Sequence, residues 1–142
     1  MWALSPTNTP TSGDDSLTGT TGNDLICGLA GADVIRGLAG NDTLCGDAGN
    51  DRLNGNAGAD RLRGGAGNDR LDGGPGNDAL QGGGGNDALK GGTGQDRLVG
   101  GAGRDSINAK DGKRDRVDCG AGRDTVTADR KDSLRRCERT RR

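Results

Sequence analysis

Eleven aspartates stand at a strict interval of nine residues: Asp15, Asp24, Asp33, Asp42, Asp51, Asp60, Asp69, Asp78, Asp87, Asp96 and Asp105. A carboxylate serves as a hard oxygen ligand, a general base or a turn-former, and its neighbours decide which. The chain has no histidine and no tyrosine. It therefore lacks a Ser-His pair, the two histidines of a zinc-dependent protease and most general bases of neutral pKa. An enzyme is not expected. Two residues before each aspartate comes glycine, from Gly13 and Gly22 through Gly94 and Gly103, and two residues after it an aliphatic, from Leu17 and Ile26 through Leu98 and Ile107. Asp after Gly and Asn is also an ordinary turn signature, but three columns in register over eleven repeats go beyond isolated turns.

The cleanest stretch reads GGAGNDRLD, GGPGNDALQ, GGGGNDALK, GGTGQDRLV and GGAGRDSIN, from Gly64 to Asn108. This resembles the RTX, or haemolysin-type, calcium-binding repeat, G-G-x-G-x-D-x-U-x with U aliphatic. The resemblance is close over residues 13–108 and continues in degraded form beyond. In the first half the second glycine is replaced by Leu29, Leu38, Asp47 and Asn56. After Asp105 the register resumes one residue late at Asp115 and continues at Asp124, with Val117 and Val126 in the aliphatic column. Asp129 and Asp132 then compete for the next position, and Leu134 is the last apolar candidate. The sequence is therefore divided into a leader (1–12), calcium-binding repeats (13–108) and a C-terminal capping region with a basic tail (109–142).

The elements that position these residues follow from the period. Each repeat is expected to form a six-residue turn and a three-residue strand whose second position points inward. Glycines let the turn reach positive φ. Two repeats make one 18-residue coil, as the resemblance also implies, so the fold class is all-β: a parallel β-roll, or β-solenoid. Residues 18 apart then stack, giving one edge Asp15, Asp33, Asp51, Asp69, Asp87 and Asp105 and the other Asp24, Asp42, Asp60, Asp78 and Asp96. Parallel strands lie roughly 4.8 Å apart, and unit charges about 5 Å apart repel by roughly 0.8 kcal/mol even in water. Divalent ions between successive turns would reverse that repulsion. Calcium suits the site because it is hard, prefers oxygen and accepts six to eight ligands in flexible geometry, whereas magnesium demands a tighter octahedron. Zinc and copper want nitrogen or sulfur, which the turns lack. The resemblance implies that the repeat aspartates, Asp115 and Asp124 included, bind calcium together with glycine carbonyls. The stack offers on the order of eight to ten weak sites of extracellular type.

Composition agrees with a fold that needs metal. Glycine supplies 30 of 142 residues, there is one Trp and no Phe, and mean hydropathy is -0.81. So thin a core offsets little chain entropy. Formal net charge is -1, made of -6 over residues 1–103 and +5 over 104–142. The basic end, with Arg135, Arg136, Arg139, Arg141 and Arg142, lacks aromatic partners for base stacking and sits beside an acidic body, which argues against nucleic acid. No apolar run reaches transmembrane length and no amphipathic segment suits membrane insertion. Met1–Pro6 has neither a basic segment nor a long apolar one, leaving open whether a signal peptide was removed or export follows another route. Cys27 with Cys45 and Cys119 with Cys137 are each 18 residues apart. Cys27 and Cys45 fall one coil apart on one outward face, where disulfides are expected, in keeping with an oxidising exterior.

The expected function is calcium binding by a secreted, extracellular module that folds on meeting calcium, monomeric, with a structural, adhesive or secretion-associated role. A competing class uses the same scaffold to bind a surface ligand. Ice binding needs ordered Thr and Asn, yet the Thr column mostly holds alanine, as at Ala30, Ala39, Ala48, Ala57, Ala66 and Ala102. A cell-surface or anionic glycan partner is the other such reading, suggested by outward arginines on the two strand faces: Arg52 and Arg70 on one, Arg61, Arg63 and Arg97 on the other.

Overall fold

A computed structural model describes residues 9–141, so the first eight residues of the leader and Arg142 lie outside the described residues. Fifteen strands follow in order: β1 (Ser16–Thr18), β2 (Leu25–Cys27), β3 (Val34–Ala39), β4 (Thr43–Ala48), β5 (Arg52–Ala57), β6 (Arg61–Ala66), β7 (Arg70–Pro75), β8 (Ala79–Gly84), β9 (Ala88–Thr93), β10 (Arg97–Ala102), β11 (Ser106–Asn108), β12 (Arg116–Ala121), β13 (Thr125–Thr127), β14 (Ser133–Arg135) and β15 (Arg139–Arg141). Odd-numbered strands form one eight-stranded sheet in the order β1-β3-β5-β7-β9-β11-β13-β15, and even-numbered strands form a seven-stranded sheet from β14 back to β2. Every pairing is parallel and joins strands one coil apart: Leu62 lies level with Leu44 on one side and Leu80 on the other. The chain is a β-roll of about seven turns.

The core is a double row of aliphatics, one residue per strand. Leu17, Ile35, Leu53, Leu71, Leu89, Ile107 and Val126 face Ile26, Leu44, Leu62, Leu80, Leu98 and Val117, all at most 2% exposed. Each is the second residue of its strand, and its neighbours on either side point out, as in the exposed-buried-exposed pattern of Arg61-Leu62-Arg63. Alternation along a pleated strand produces this from sequence alone.

Most strands are longer than the three residues expected. Pairing continues through the paired glycines, as in Gly65 with Gly83 and Ala66 with Gly84, leaving a corner of only three residues. Even there the hydrogen bonds go on: Gly67 N–H donates to Gly84 O at 2.9 Å and Ala88 N–H to Asp69 O at 2.8 Å. A backbone that turns with its N–H and C=O groups still aligned along the stacking axis satisfies them coil to coil, as buried backbone must.

The second-glycine position fixes part of that corner. Gly65, Gly83 and Gly101 have φ near 120° there, and Leu29, Leu38, Asp47 and Asn56 adopt φ of 83°, 83°, 72° and 68° at the same place. Asn and Asp tolerate this region and leucine does not. Stacking therefore imposes the coil's conformation on residues that disfavour it. Leu29 and Leu38 also leave their side chains 49% and 40% exposed.

Disulfides link Cys27 to Cys45 and Cys119 to Cys137, with Cα separations of 4.4 and 5.1 Å. The first joins outward positions of β2 and β4. The second starts from the interior, because Cys119 occupies an inward position and is fully buried. Cys137, partly buried, packs on the end of the core.

Leu38→Gly is expected to raise the urea midpoint. A left-handed leucine costs about 1–2 kcal/mol, more than the roughly 0.5–1 kcal/mol entropy penalty of glycine. Leu38→Val, β-branched at the same φ, is expected to lower it; equal midpoints would show that the position carries no strain.

Candidate metal centres along the turn edges

Each aspartate ends a corner, and its side chain folds back into the roll instead of pointing to solvent. Asp24, Asp33, Asp42, Asp51, Asp60, Asp69, Asp78, Asp87, Asp96, Asp105, Asp115 and Asp124 are all at most 3% exposed, an unusual place for carboxylates. One oxygen of each is accounted for. Along the first edge the N–H of each aspartate from Asp15 to Asp105 donates to Oδ1 of the aspartate one coil further on: Asp15 to Asp33, Asp33 to Asp51, Asp51 to Asp69 and so on to Asp105 and Asp124, at 2.8–2.9 Å. The second edge repeats this from Asp24 through Asp42, Asp60, Asp78 and Asp96 to Asp115. The carboxylates are thus bridged by backbone donors, which offset part of the repulsion expected between them.

The other oxygen is not accounted for. Oδ2 of Asp33, Asp42, Asp51, Asp60, Asp69, Asp78, Asp87, Asp96, Asp105, Asp115 and Asp124 is buried with no hydrogen-bond partner. Such an atom is costly, and more so if charged. Glycine makes the room for it. A Cβ on Gly64 would collide with Asp69 Oδ2 and lie 2.7 Å from Gly82 O, and one on Gly82 would meet Asp87 Oδ2 and, at 2.6 Å, Gly100 O. The same trio recurs at Gly37, Gly55 and Gly73. The first glycine of the motif is therefore required for space, since its φ is not positive, while the second and third supply the positive φ. Each of these five cradles brings together a carboxylate oxygen and a glycine carbonyl of the next coil, with no nitrogen or sulfur, and at Gly100 the carbonyl is that of Cys119. That donor set fits a hard cation such as calcium.

The ends of the ladders differ. Asp24 Oδ2 accepts from Thr20 N–H at 2.6 Å and from Thr20 Oγ1 at 3.1 Å, and Thr11 treats Asp15 alike. The first two carboxylates are thus capped from within their own turns. At the other end the extra residue before Asp115 is absorbed in the corner, where Asp111 Oδ2 accepts from Gly94 N–H. Of the two candidates for the next rung, Asp132 takes it rather than Asp129, accepting from Asp115 N–H at 3.0 Å. Sequence reasoning missed a second ladder. Asn23, Asn41, Asn50, Asn68, Asn77 and Asn86 each accept through Oδ1 from the backbone N–H of the residue 18 further on, at 2.7–2.9 Å. The Asn column preceding Asp was the available signal. Cys27, Cys45 and Asp47 also converge, but the disulfide consumes both sulfurs.

Electrostatics follow from this geometry. Burial pushes the Asp78 carboxyl up to about 7, aided by the charges of Asp96 and Asp60 and opposed by the Asp60 N–H. Burial likewise raises Asp87 and Asp115 to about 6, and raises Asp42, Asp51, Asp60, Asp69, Asp96 and Asp105. Burial thus shifts each of these groups toward its protonated form.

The profile of the RTX calcium-binding nonapeptide repeat matches in four copies, at residues 9–44, 46–80, 72–107 and 81–114. The chain belongs to the RTX calcium-binding repeat family. No individual characterised protein matches it. The RTX repeats account for the column spacing and the oxygen-only cradles together. Among the described residues, no helix is long and apolar enough to cross a membrane.

Two outcomes are expected. A carboxyl raised by folding binds its proton more tightly in the fold, so the metal-free roll is most stable below about pH 4 and loses that stability as pH rises through about 6 to 7, where Asp87, Asp115 and Asp78 titrate. Circular dichroism in chelator should show more β-structure at pH 5 than at pH 7.5; the reverse trend would contradict the burial account. Separately, Gly82→Ala should lower stability to urea by about 1–3 kcal/mol through overpacking. Gly84→Ala, where a Cβ meets nothing within 4 Å, should be neutral or stabilising in the same denaturation experiment.

Proposed function

We propose that the chain is an extracellular calcium-binding module whose roll is completed by several calcium ions held between successive turns of both edges. The observation that carries this reading is the set of buried, unpartnered Oδ2 atoms from Asp33 to Asp124; those of Asp42, Asp60, Asp69, Asp78 and Asp87 share their cradle with a glycine carbonyl of the next coil. Asp33, Asp42, Asp51, Asp60, Asp69, Asp78, Asp87, Asp96, Asp105, Asp115 and Asp124 are the principal ligands. Asp15 and Asp24 belong to the same columns but already receive donors from Thr11 and Thr20, so their share is smaller. Calcium would supply charge neutralisation and multidentate oxygen binding; the chain's own part is to hold each Oδ2 and carbonyl in place through the Asp-to-backbone ladder.

Metal binding and folding are then one event, because the cradles exist only in the wound chain. With no histidine in the sequence, the role is architectural rather than catalytic: a rigid, calcium-dependent element in an adhesive or secretion-associated context. The two disulfides support an oxidising exterior as its setting.

A calcium titration followed by far-UV circular dichroism tests this. The expected result is a mostly unwound chain in chelator, apart from residual order near the disulfides, and a cooperative gain of β-structure at roughly millimolar calcium. Asp69→Asn, which keeps an acceptor for the Asp51 N–H and removes the charge, should raise the calcium midpoint severalfold, and Asp24→Asn should shift it less. A chain equally ordered in chelator and unmoved by added calcium would overturn the proposal.

A further inference from the structure

Charge is sorted by location in this fold. The carboxylates of the ladders are buried along the turn edges, while the charged residues at the outward positions of the strands are mostly arginine and lysine. On the even-numbered sheet, Arg61 and Arg63 of β6, Arg97 of β10 and Arg116 of β12 are exposed. Among the described residues none of these four has an ion-pair partner: the salt bridges are Lys90–Asp72 on the other sheet and Arg136–Asp118. The even-numbered sheet holds two acids in its strands: Asp47, exposed near the end of β4 and level with Gly65, and Asp118, whose two oxygens Arg136 holds at 2.7 and 2.6 Å. On the odd-numbered sheet Asp72 lies level with Asn54 and Lys90 and pairs with Lys90 at 3.1 Å, so that face is interrupted by a carboxylate near its middle.

The arginines also frame a shape. Ala79 stands between Arg61 and Arg97 in the stacked register, and its small side chain leaves a shallow depression lined by Arg61, Arg63, Ala79, Gln81 and Arg97. Guanidinium groups around a depression match the planar geometry of carboxylate and sulfate and bind them through paired hydrogen bonds. From this charge complementarity we infer that the even-numbered sheet is a docking face for an anionic polysaccharide, whose carboxylate or sulfate groups lie along the roll axis over Arg61, Arg63, Arg97 and Arg116. Nucleic acid fits less well, because the chain has no Phe or Tyr to stack on bases and the described residues include no helix to enter a groove. A lipid surface fits less well, because the exposed large hydrophobics, Leu25, Leu29 and Leu38, all lie in the first coils, Leu25 two strands from Arg61, and none stands between Arg61 and Arg116.

The inference rests on the calcium reading in one respect. The apo chain has a formal net charge of -1, and about eight divalent ions in the ladders would make it strongly cationic. Calcium would then both wind the arginines into one face and remove the acidic potential that opposes an anionic polymer. The polysaccharide site is thereby coupled to calcium.

Binding to immobilised heparin and to polygalacturonate, with uncharged dextran as the blank, tests the proposal, with circular dichroism recorded on the same samples. The two polymers distinguish sulfate from carboxylate as the recognised group. The folded, calcium-loaded chain should bind at least one of them, and less tightly as salt is raised. Arg61→Gln with Arg97→Gln should lower affinity at least about tenfold, while Arg52→Gln with Arg70→Gln, the same charge change on the other sheet, should lower it less. Absence of binding by the calcium-folded chain, or equal losses in the two double variants, overturns the docking face while leaving the calcium reading intact. Duplex DNA or phosphatidylglycerol vesicles captured equally well, with the same dependence on Arg61 and Arg97, would overturn the choice of polysaccharide. If the dichroism does not respond to calcium, the calcium reading fails, and the two double variants still test the face in calcium-free buffer.

Discussion

The structure depends on carboxylates placed where carboxylates do not ordinarily belong. Two columns of aspartates enter the interior of the turns, and from Asp33 to Asp124 each has one oxygen on a backbone N–H and the other without a partner. Everything else is arranged around that imbalance. The leading glycine is bare because the free oxygen fills the space its side chain would need. The aliphatic row is a single residue wide on each sheet, so apolar burial alone is a thin counterweight to the entropy of ordering so much glycine. A cation in the cradle changes the sign of the dominant unfavourable interaction; a proton does so partially.

Much of this was legible in the residues. Periodicity in Asp, Gly and Leu or Ile is enough to place strands, inward positions and the two edges, because alternation along a strand and repetition of an 18-residue coil leave little freedom. The pairing of Cys27 with Cys45 follows from the same arithmetic. What was not legible is side-chain direction within a turn. Stacked carboxylates were expected to face one another; they face the backbone of the neighbouring coil instead. The asparagine ladder was missed for the same reason, since a turn-forming Asn and a ladder-forming Asn are identical in one dimension. Strand length was underestimated because a glycine pair carries no hydrophobic signal, though its backbone pairs as well as any other.

Departures from the repeat are informative about what the coil enforces. Leu29 and Leu38 adopt a left-handed backbone that leucine resists, so stacking on the neighbouring coils dominates local preference there. Thr20 places its own N–H and hydroxyl on Asp24, where later turns leave that oxygen open. Cys119 and Cys137 close the far end from the inside. Both termini of the ladder are thus finished with protein groups, and the open cradles lie between them.

Alternation of the two sheets has a consequence for how such a chain can change length. Adding or removing a single nine-residue unit preserves the core row, both carboxylate columns and every glycine, since each repeat is equivalent in those respects. It transfers every later strand to the opposite sheet, however, so Arg97 and Arg116 would part from Arg61 and Arg63. Core and carboxylate cradles are indifferent to parity, whereas surface chemistry is not. Only insertions in multiples of eighteen keep a surface pattern together, which makes the coil, and not the repeat, the smallest heritable unit of whatever the faces recognise.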